Sequence, residues 1–352
     1  MAVRVGIVND MKLAAEVLRK IVVADPALEV SWIAKDGAEA IAHCASSLPD
    51  IVLMDLVMPN VNGVEATRRI MAKTPCPILV VTATVSGHLD LVYDAMGAGA
   101  IDVTTTPVVG DQRGLDSGAV LRRKIHSLCQ INRSTSGLGA FAPPPNQRQA
   151  APAPGAMQAR HLPPLLAIGA STGGPAALAT LLGGLPADFP AAVVIVQHID
   201  REFVGGLATW LAGSTPLPVA LAMGGERLRE GRVLVADVGH HLVLDAHGLL
   251  QYTQEPRESL HCPSVDVFFN SVARHAPPGS CGLLLTGMGR DGASGLLAMK
   301  RAGFQTVAQD KASSVVYGMP GAAAELGAAN HLLPLGDMAA YLKTAFKEPI
   351  TP

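Results

Sequence analysis

The chain has 352 residues, enough for two domains and at most three at roughly 100–200 residues each. It is 49% hydrophobic, 4% aromatic and 16% charged, a bias that parallel sheets built from Val, Ile, Leu and Ala would produce. A formal net charge of -2 excludes a strong basic field for nucleic acid. The five cysteines (Cys44, Cys76, Cys129, Cys262 and Cys281) are scattered and form no C-x-x-C. That pattern argues against a disulfide framework or a zinc site and for a reducing cytosol. Apolar runs such as Ala191 to Val196 are too short to span a bilayer, and the start Met1-Ala2-Val3-Arg4 lacks the apolar core of a signal peptide. The expectation is a cytoplasmic protein without membrane insertion. Arg122-Arg123-Lys124 reads as a solvated helix end.

In chain order, residues 3–8 read as a buried strand ending in Asn9-Asp10, and a helix follows through Lys20. Val30 to Ala34, Asp50 to Met54, Pro77 to Val81 and Ala100 to Val103 read as further strands. Helices are expected over Asp36 to Ala45, Val64 to Ala72 and Leu89 to Met96. Such alternation predicts a parallel α/β sheet, and its size fits a flavodoxin-like domain over residues 1–125. Residues 126–164 are expected to be a Pro/Ala-rich linker; the composition changes from about Ser134, and Ala142-Pro143-Pro144-Pro145-Asn146 has no hydrophobic periodicity. A second doubly wound α/β domain is expected over 165–345. Its strands are Leu165 to Ile168, Ala192 to Val196, Arg232 to Ala236, His241 to Leu244, Gly282 to Leu285 and Gln305 to Ala308.

Asp10, Asp55 and Thr82 fall at the C-terminal ends of predicted parallel strands, where open α/β sheets bind ligands. Two carboxylates there suit Mg²⁺, a cation that takes oxygen ligands. A carboxylate beside that cation can attack a phosphoryl group, with the Thr82 hydroxyl placed to bond the product. For one Asp alone, helix capping is the commoner explanation; three matching strand ends make it a poor one. Residues 1–125 resemble a two-component receiver domain. The resemblance rests on Leu53-Met54-Asp55-Leu56-Val57-Met58-Pro59 followed by Asn62-Gly63. It implies Asp55 as phosphoacceptor and Mg²⁺ on Asp10, Asp55 and the carbonyl of Val57. The sequence departs from the pattern at Asn9, where a second acid is usual, and at Thr106, where a lysine is usual. Val103 stands at the position of the aromatic switch residue.

In the second half, Leu165-Leu166-Ala167-Ile168 leads into Gly169-Ala170-Ser171-Thr172-Gly173-Gly174-Pro175, a strand, a tight turn and a helix start. This matches G-x-S-x-G, in which a serine is exposed on a sharp turn. Alone it is weak, because such a serine can simply cap the helix and such a loop can cradle a phosphate. The next strand, however, ends in Gln197-His198, where a dinucleotide fold would place an acid; a histidine suits a general base. A third apolar strand ends in Thr286-Gly287-Met288-Gly289-Arg290-Asp291-Gly292. Asp291 there could accept the Nδ1 proton of His198, although Asp-Gly is also a favoured turn pair. The order Ser, His, Asp differs from the Ser, Asp, His order of the α/β-hydrolases.

Residues 165–345 resemble the CheB family, the protein-glutamate methylesterases of bacterial chemosensory systems. Besides the three strand ends, His261-Cys262-Pro263-Ser264-Val265-Asp266 and Val315-Val316-Tyr317-Gly318-Met319-Pro320 match. The resemblance implies a triad of Ser171, His198 and Asp291, with Thr172 and Met288 supporting the oxyanion and no cofactor in this domain. It further implies demethylation of glutamate methyl esters on chemoreceptor cytoplasmic helices, deamidation of receptor glutamines, a CheA-type histidine kinase as phosphodonor, and control through Asp55. Asn9-Asp10-Met11 and Thr106-Pro107 are similar to the Wsp surface-sensing branch. Two rivals remain at this level: a nucleotide-binding oxidoreductase built on the Gly-rich loop, and a noncatalytic signalling adaptor.

Overall fold

The computed structural model describes residues 2–82, 89–107, 112–132 and 162–347. The chain divides into two compact units, residues 1–143 and 144–352.

The first unit contains β1 (Val3–Val8), α1 (Lys12–Val23), β2 (Leu28–Ala34), α2 (Gly37–Ser46), β3 (Ile51–Met54), α3 (Gly63–Lys73), β4 (Ile78–Thr82), α4 (Leu89–Gly97), β5 (Asp102–Thr105) and α5 (Gln112–Asn132). Its five strands lie in the order β2-β1-β3-β4-β5, and all pairs are parallel. This is the flavodoxin-like order expected from the strand–helix alternation. Every residue of β3 and β4 is buried, as expected for strands covered on both faces. Helix starts are fixed locally: Asp36 accepts from the Glu39 amide and Asn62 from the Glu65 amide, each satisfying an otherwise unpaired donor.

Two expectations for this unit need correction. Helix α5 runs on to Asn132, past the boundary expected at 125, because Leu128 and Cys129 are still buried as core residues. Arg122-Arg123-Lys124 therefore lies inside a helix and not at its end. Lys124 is not merely solvated: its ammonium donates to the Val103 carbonyl at 2.8 Å and pairs with Asp102 at 3.2 Å. Residues 133–161, most of the expected linker, lie outside the described residues.

The second unit contains β6 (Leu165–Ala170), α6 (Gly174–Gly183), β7 (Ala192–Gln197), α7 (Arg201–Ser214), β8 (Val219–Leu221), β9 (Glu226–Arg227), β10 (Val233–Val235), β11 (His241–Leu244), β12 (Leu249–Thr253), α8 (Val265–His275), β13 (Cys281–Leu284), α9 (Ala293–Arg301), β14 (Gln305–Gln309), α10 (Met319–Glu325), β15 (His331–Leu333) and α11 (Leu335–Ala345). Seven strands form a parallel sheet in the order β15-β14-β13-β6-β7-β10-β8. The chain leaves β6 for β7 on one side and returns later to β13 on the other. The carboxyl ends of these strands thus frame a topological switch point, the crevice where open α/β sheets bind ligands. All residues of β6, β7 and β13 are buried, so the platform beneath that crevice is packed on both faces.

The strand at His241 to Leu244 does not join this sheet. It is β11 of a separate antiparallel sheet, ordered β11-β12-β9. Leu242 and Leu244 are buried against the core while Val243 is only partly covered, the alternation of a one-sided sheet. Among the described residues the five cysteines form no disulfide, and only Cys262 is exposed. No described helix is long and apolar enough to cross a membrane.

Candidate active site

Three adjacent strands place three side chains. The Ser171 amide donates to the Thr286 carbonyl at 3.0 Å, and the His198 amide to the Ala170 carbonyl at 3.0 Å. Ser171 is thereby stitched between the ends of β13 and β7. The turn after it is compact. Gly173 has φ +76°, and a Cβ there would stand 2.7 Å from that of Val315. A Cβ on Gly174 would stand 2.0 Å from Gln197 Oε1. A Cβ on Gly287 would meet the Ser171 Cβ at 2.8 Å, so the loop carrying Met288 passes directly beside the serine. Bare backbone at these points lets two loops and a helix start converge.

Buried side-chain hydrogen bonds lock the loops. Gln197 Nε2 donates to the carbonyls of Ser171 at 2.7 Å and His198 at 2.9 Å. The Thr286 hydroxyl donates to the Thr172 carbonyl at 3.0 Å and accepts from the Val316 amide at 2.8 Å. The Thr286 amide in turn donates to Gln309 Oε1 at 2.8 Å. Gln197, Thr286 and Gln309 are all buried, so these bonds are poorly exchanged for water. Gly287 also bridges to Tyr317, and the Gly318 and Met319 amides donate to the Gly287 carbonyl. The Val315 to Pro320 block is therefore the floor that shapes the Met288 loop.

His198 Nε2 donates to Asp291 Oδ2 at 2.8 Å, and both side chains are about nine-tenths buried, with relative exposures of 10% and 9%. The sequence reading expects the bond at Nδ1; the structure places it at Nε2. The reason is where Asp291 is held. Its Oδ1 accepts from the Ser264 hydroxyl at 2.9 Å, the Asp266 amide at 2.9 Å and the Gly292 amide at 3.1 Å, and its Oδ2 also accepts from the Val265 amide at 2.8 Å. The carboxylate thus sits on the first amides of α8, where free N–H groups and the helix dipole favour negative charge, and from there it reaches the far nitrogen of the ring. Burial works against its charge, but the His198 hydrogen bond and charge and the Asp266 and Val265 amides outweigh it. They hold Asp291 well below the usual carboxylate range. Nδ1 of His198 is left buried with no hydrogen-bond partner among the described residues.

The His261 to Asp266 block, matched in sequence without an assigned role, supplies this support. Ser264 caps α8, accepting from the Val267 amide at 3.3 Å while donating to Asp291. The Ser264 amide donates to His241 Nδ1 at 3.1 Å, and His241 Nε2 donates to the Pro256 carbonyl at 3.1 Å, which requires His241 to be neutral. His261 lies with its ring on that of His198, the centroids 4.2 Å apart and the planes 11° from parallel. Gln197, His241, His261 and Ser264 were not singled out from sequence; of these only Ser264, the cap position before an apolar run, carries a local signal.

In the receiver-like unit, Asp55 Oδ1 accepts from the Leu56 amide at 2.7 Å and Oδ2 from Asn9 Nδ2 at 3.0 Å. Asn9 is itself oriented by the Met11 amide, which donates to its Oδ1 at 2.9 Å. Burial pushes the Asp55 carboxyl above its ordinary value, and the Asp10 charge adds to this against the Leu56 and Val57 amides. Asp10 and Val57 are exposed and Thr82 is buried. The Thr106 amide donates to the Thr82 carbonyl at 2.9 Å, and its hydroxyl oxygen is buried without a partner among the described residues. No described cluster of three or more His, Cys, Asp or Glu is placed to hold a metal. Asp10, Asp55 and the Val57 carbonyl offer only oxygen donors, and a cation there would relieve the like-charge pressure of Asp10 on Asp55. The residues fit a hard divalent ion.

Comparison with known proteins gives the family. Residues 166–342 match the family model for CheB methylesterase. The chain belongs to the CheB methylesterase family. Residues 5–113 of this CheB-family protein match the response regulator receiver domain. It is 52% identical over 352 residues to a Bordetella avium protein-glutamate methylesterase/protein-glutamine glutaminase, covering 99% of each chain. It is 49% identical to a similarly named Pseudomonas putida protein, covering 97% of this chain and 99% of the other. The Thermotoga maritima CheB methylesterase catalytic domain is 34% identical with a TM-score of 0.50, over 52% of this chain and 98% of that one.

Proposed function

We propose that this CheB-family chain is a protein-glutamate methylesterase and protein-glutamine glutaminase that uses Ser171 as nucleophile, His198 as base and Asp291 as the orienting acid. One observation carries the assignment: His198 is held at Nε2 by a charged Asp291 while its buried Nδ1 is unclaimed at the strand end beside Ser171. In this reading Nδ1 takes the Ser171 proton as Oγ attacks the ester carbonyl. Asp291 stabilises the imidazolium that results, without being protonated itself. The carbonyl oxygen becomes an oxyanion facing the backbone at Thr172 and Met288. His198 then protonates the leaving methoxide, giving methanol and an acyl-enzyme. Water, deprotonated by the same ring, releases glutamate. An amide substrate follows the same path and releases ammonia.

The substrate is the methylated cytoplasmic helices of a chemoreceptor, and the chain works in the cytoplasm. Asp55 accepts a phosphoryl group from a CheA-type kinase. Asp10, Asp55 and the Val57 carbonyl would hold Mg²⁺, which supplies charge neutralisation at the acceptor when bound. Phosphorylation adds about -1.5 to -2 charges at Asp55 and biases the catalytic unit toward activity. Methanol release from methylated receptor tests the reading: the wild-type chain must produce it, and Ser171→Ala must abolish it with the fold intact by circular dichroism.

A further inference from the structure

His261 belongs to none of the roles above, yet its ring lies on the proposed base. We infer that His261 is a positioning residue that holds the His198 ring in its reactive plane and must remain uncharged for the base to accept a proton. The inference rests on reading His198 as the base.

The geometry comes first. An imidazole hydrogen-bonded at one nitrogen still has a torsional freedom, because the bond to Asp291 fixes one edge and leaves the ring able to swing about it. Proton transfer from Ser171 requires Nδ1 to be aimed at the serine, and small misalignments are costly. The His198 edge at Nε2 is closed by Asp291, 2.8 Å away. One face of the ring is closed by His261 at 4.2 Å and 11°, a near-parallel stack. His261 itself is exposed, so its outer side meets solvent while its inner side meets the base. It is the partition between His198 and water on that face. Among the described residues no hydrogen bond holds the His261 side chain; the loop is pinned through its backbone, where the Ser259 hydroxyl donates to the His261 carbonyl at 3.0 Å. The rings are thus registered by their faces, and an aromatic ring of any kind would supply that contact.

The charge requirement follows from the same distance. His198 becomes positive in each proton-transfer step. A cationic His261 stacked on it would oppose that charge across a partly dehydrated gap. The titratable groups acting on the His261 ring are His198 and Asp291. Burial and the His198 charge hold it below its ordinary value, with Asp291 opposing. The same surroundings therefore favour the uncharged form of the His261 ring.

Two variants of the full chain separate the parts of this inference, assayed by methanol release from methylated receptor across pH. His261→Phe keeps the stack and cannot be charged. It is expected to retain kcat near neutrality to within about threefold and to show a shallower acid limb than the wild type, because the ring on the base can no longer gain an opposing charge in acid. His261→Ala loses the stack, and its kcat should fall about tenfold with little change in KM, the size expected for removing a favourable ring pair. A residue that merely filled space in the loop would leave the acid limb unchanged in the Phe variant. A Phe variant as impaired as the Ala variant, or one with an acid limb as steep as the wild type, overturns the inference, as does an Ala variant with wild-type kcat. His198→Ala serves as the reference. If it retains turnover, the base assignment itself fails; if it is inactive while both His261 variants behave as wild type, only the role of His261 fails.

Discussion

Asp291 and Asp55 both stand just beyond the ends of parallel strands, and their surroundings treat them in opposite ways. Asp291 receives the hydroxyl of Ser264, the amides of Val265, Asp266 and Gly292, and the ring of His198. These partners and the His198 charge hold its carboxyl well below the usual carboxylate range, which suits the proposed role of steadying an imidazolium. Asp55 receives the Leu56 amide at 2.7 Å and the Asn9 side chain at 3.0 Å, and it is pushed upward by burial and by Asp10. Its negative charge is tolerated without being fully satisfied, which suits the proposed role of a group that changes state on phosphorylation. A carboxylate's role can thus be read from how many donors answer it as well as from where it sits.

The largest test of the contrast is at the proposed nucleophile, Ser171. Ser171→Ala should lower methanol release by about 10⁴-fold or more, and adding His198→Ala should cost little beyond that, since triad members act as a unit. A Ser171→Ala enzyme with substantial turnover would remove the reason for Asp291's environment. Asp291→Asn should lower kcat by roughly 10³–10⁴-fold, because an amide cannot stabilise the imidazolium. The same variant bears on stability. Asp291 is lowered on folding, so its contribution is present above the ordinary carboxylate range and is lost as pH falls toward its folded value. The difference in Tm between wild type and Asp291→Asn should therefore be greatest near neutrality and shrink on acidification; a constant difference would show that the charge is not what stabilises.

Smaller effects belong to the second carboxylate. Residues 160–352 alone should hydrolyse receptor ester about tenfold faster than the unphosphorylated full chain, a coupling of ordinary size. Asp55→Asn should stay at the slow rate whatever phosphodonor is added. Equal rates for the fragment and the full chain, together with a normal donor response in Asp55→Asn, would show that Asp55 does not control the hydrolase. The smallest effect is expected at Asn9. Asn9→Asp replaces a hydrogen-bond donor to Asp55 by a like charge, and in the absence of divalent cation it should destabilise the receiver unit by about 1 kcal/mol. Mg²⁺ should reverse much of that loss. A variant as stable as wild type without Mg²⁺ would mean that the Asn9 contact is energetically idle.

The strand ends were legible because each is an apolar run that stops at one reactive side chain, a local pattern reinforced at Ser171 and Asp291 by a Gly-rich turn. Ser171, His198, Asp291 and Asp55 all announce themselves in this way. The nitrogen that Asp291 binds was not legible, because it depends on amides of a helix that begins at Val265, 26 positions away in the chain from Asp291. His261 was invisible for the same reason: its only relevant contact is face to face with His198, and no periodicity reports it. The antiparallel sheet was only partly seen, since β9 has two residues and β12 mixes polar and apolar side chains without a full alternation. Helix α5 outran its expected end because Leu128 and Cys129 are core residues embedded in a polar stretch.

The carboxylate of Asp291 closes two structures at once: it completes the His198 pair and it satisfies the opening amides of α8. Fraying of the first turn of that helix would remove two of the donors that hold Asp291 against His198. Local opening of α8 should therefore loosen the His198 pair, and amide hydrogen exchange at Val265 and Asp266 would report that opening. Exposure of those amides would thus give a substrate-free reading of how firmly the carboxylate is seated.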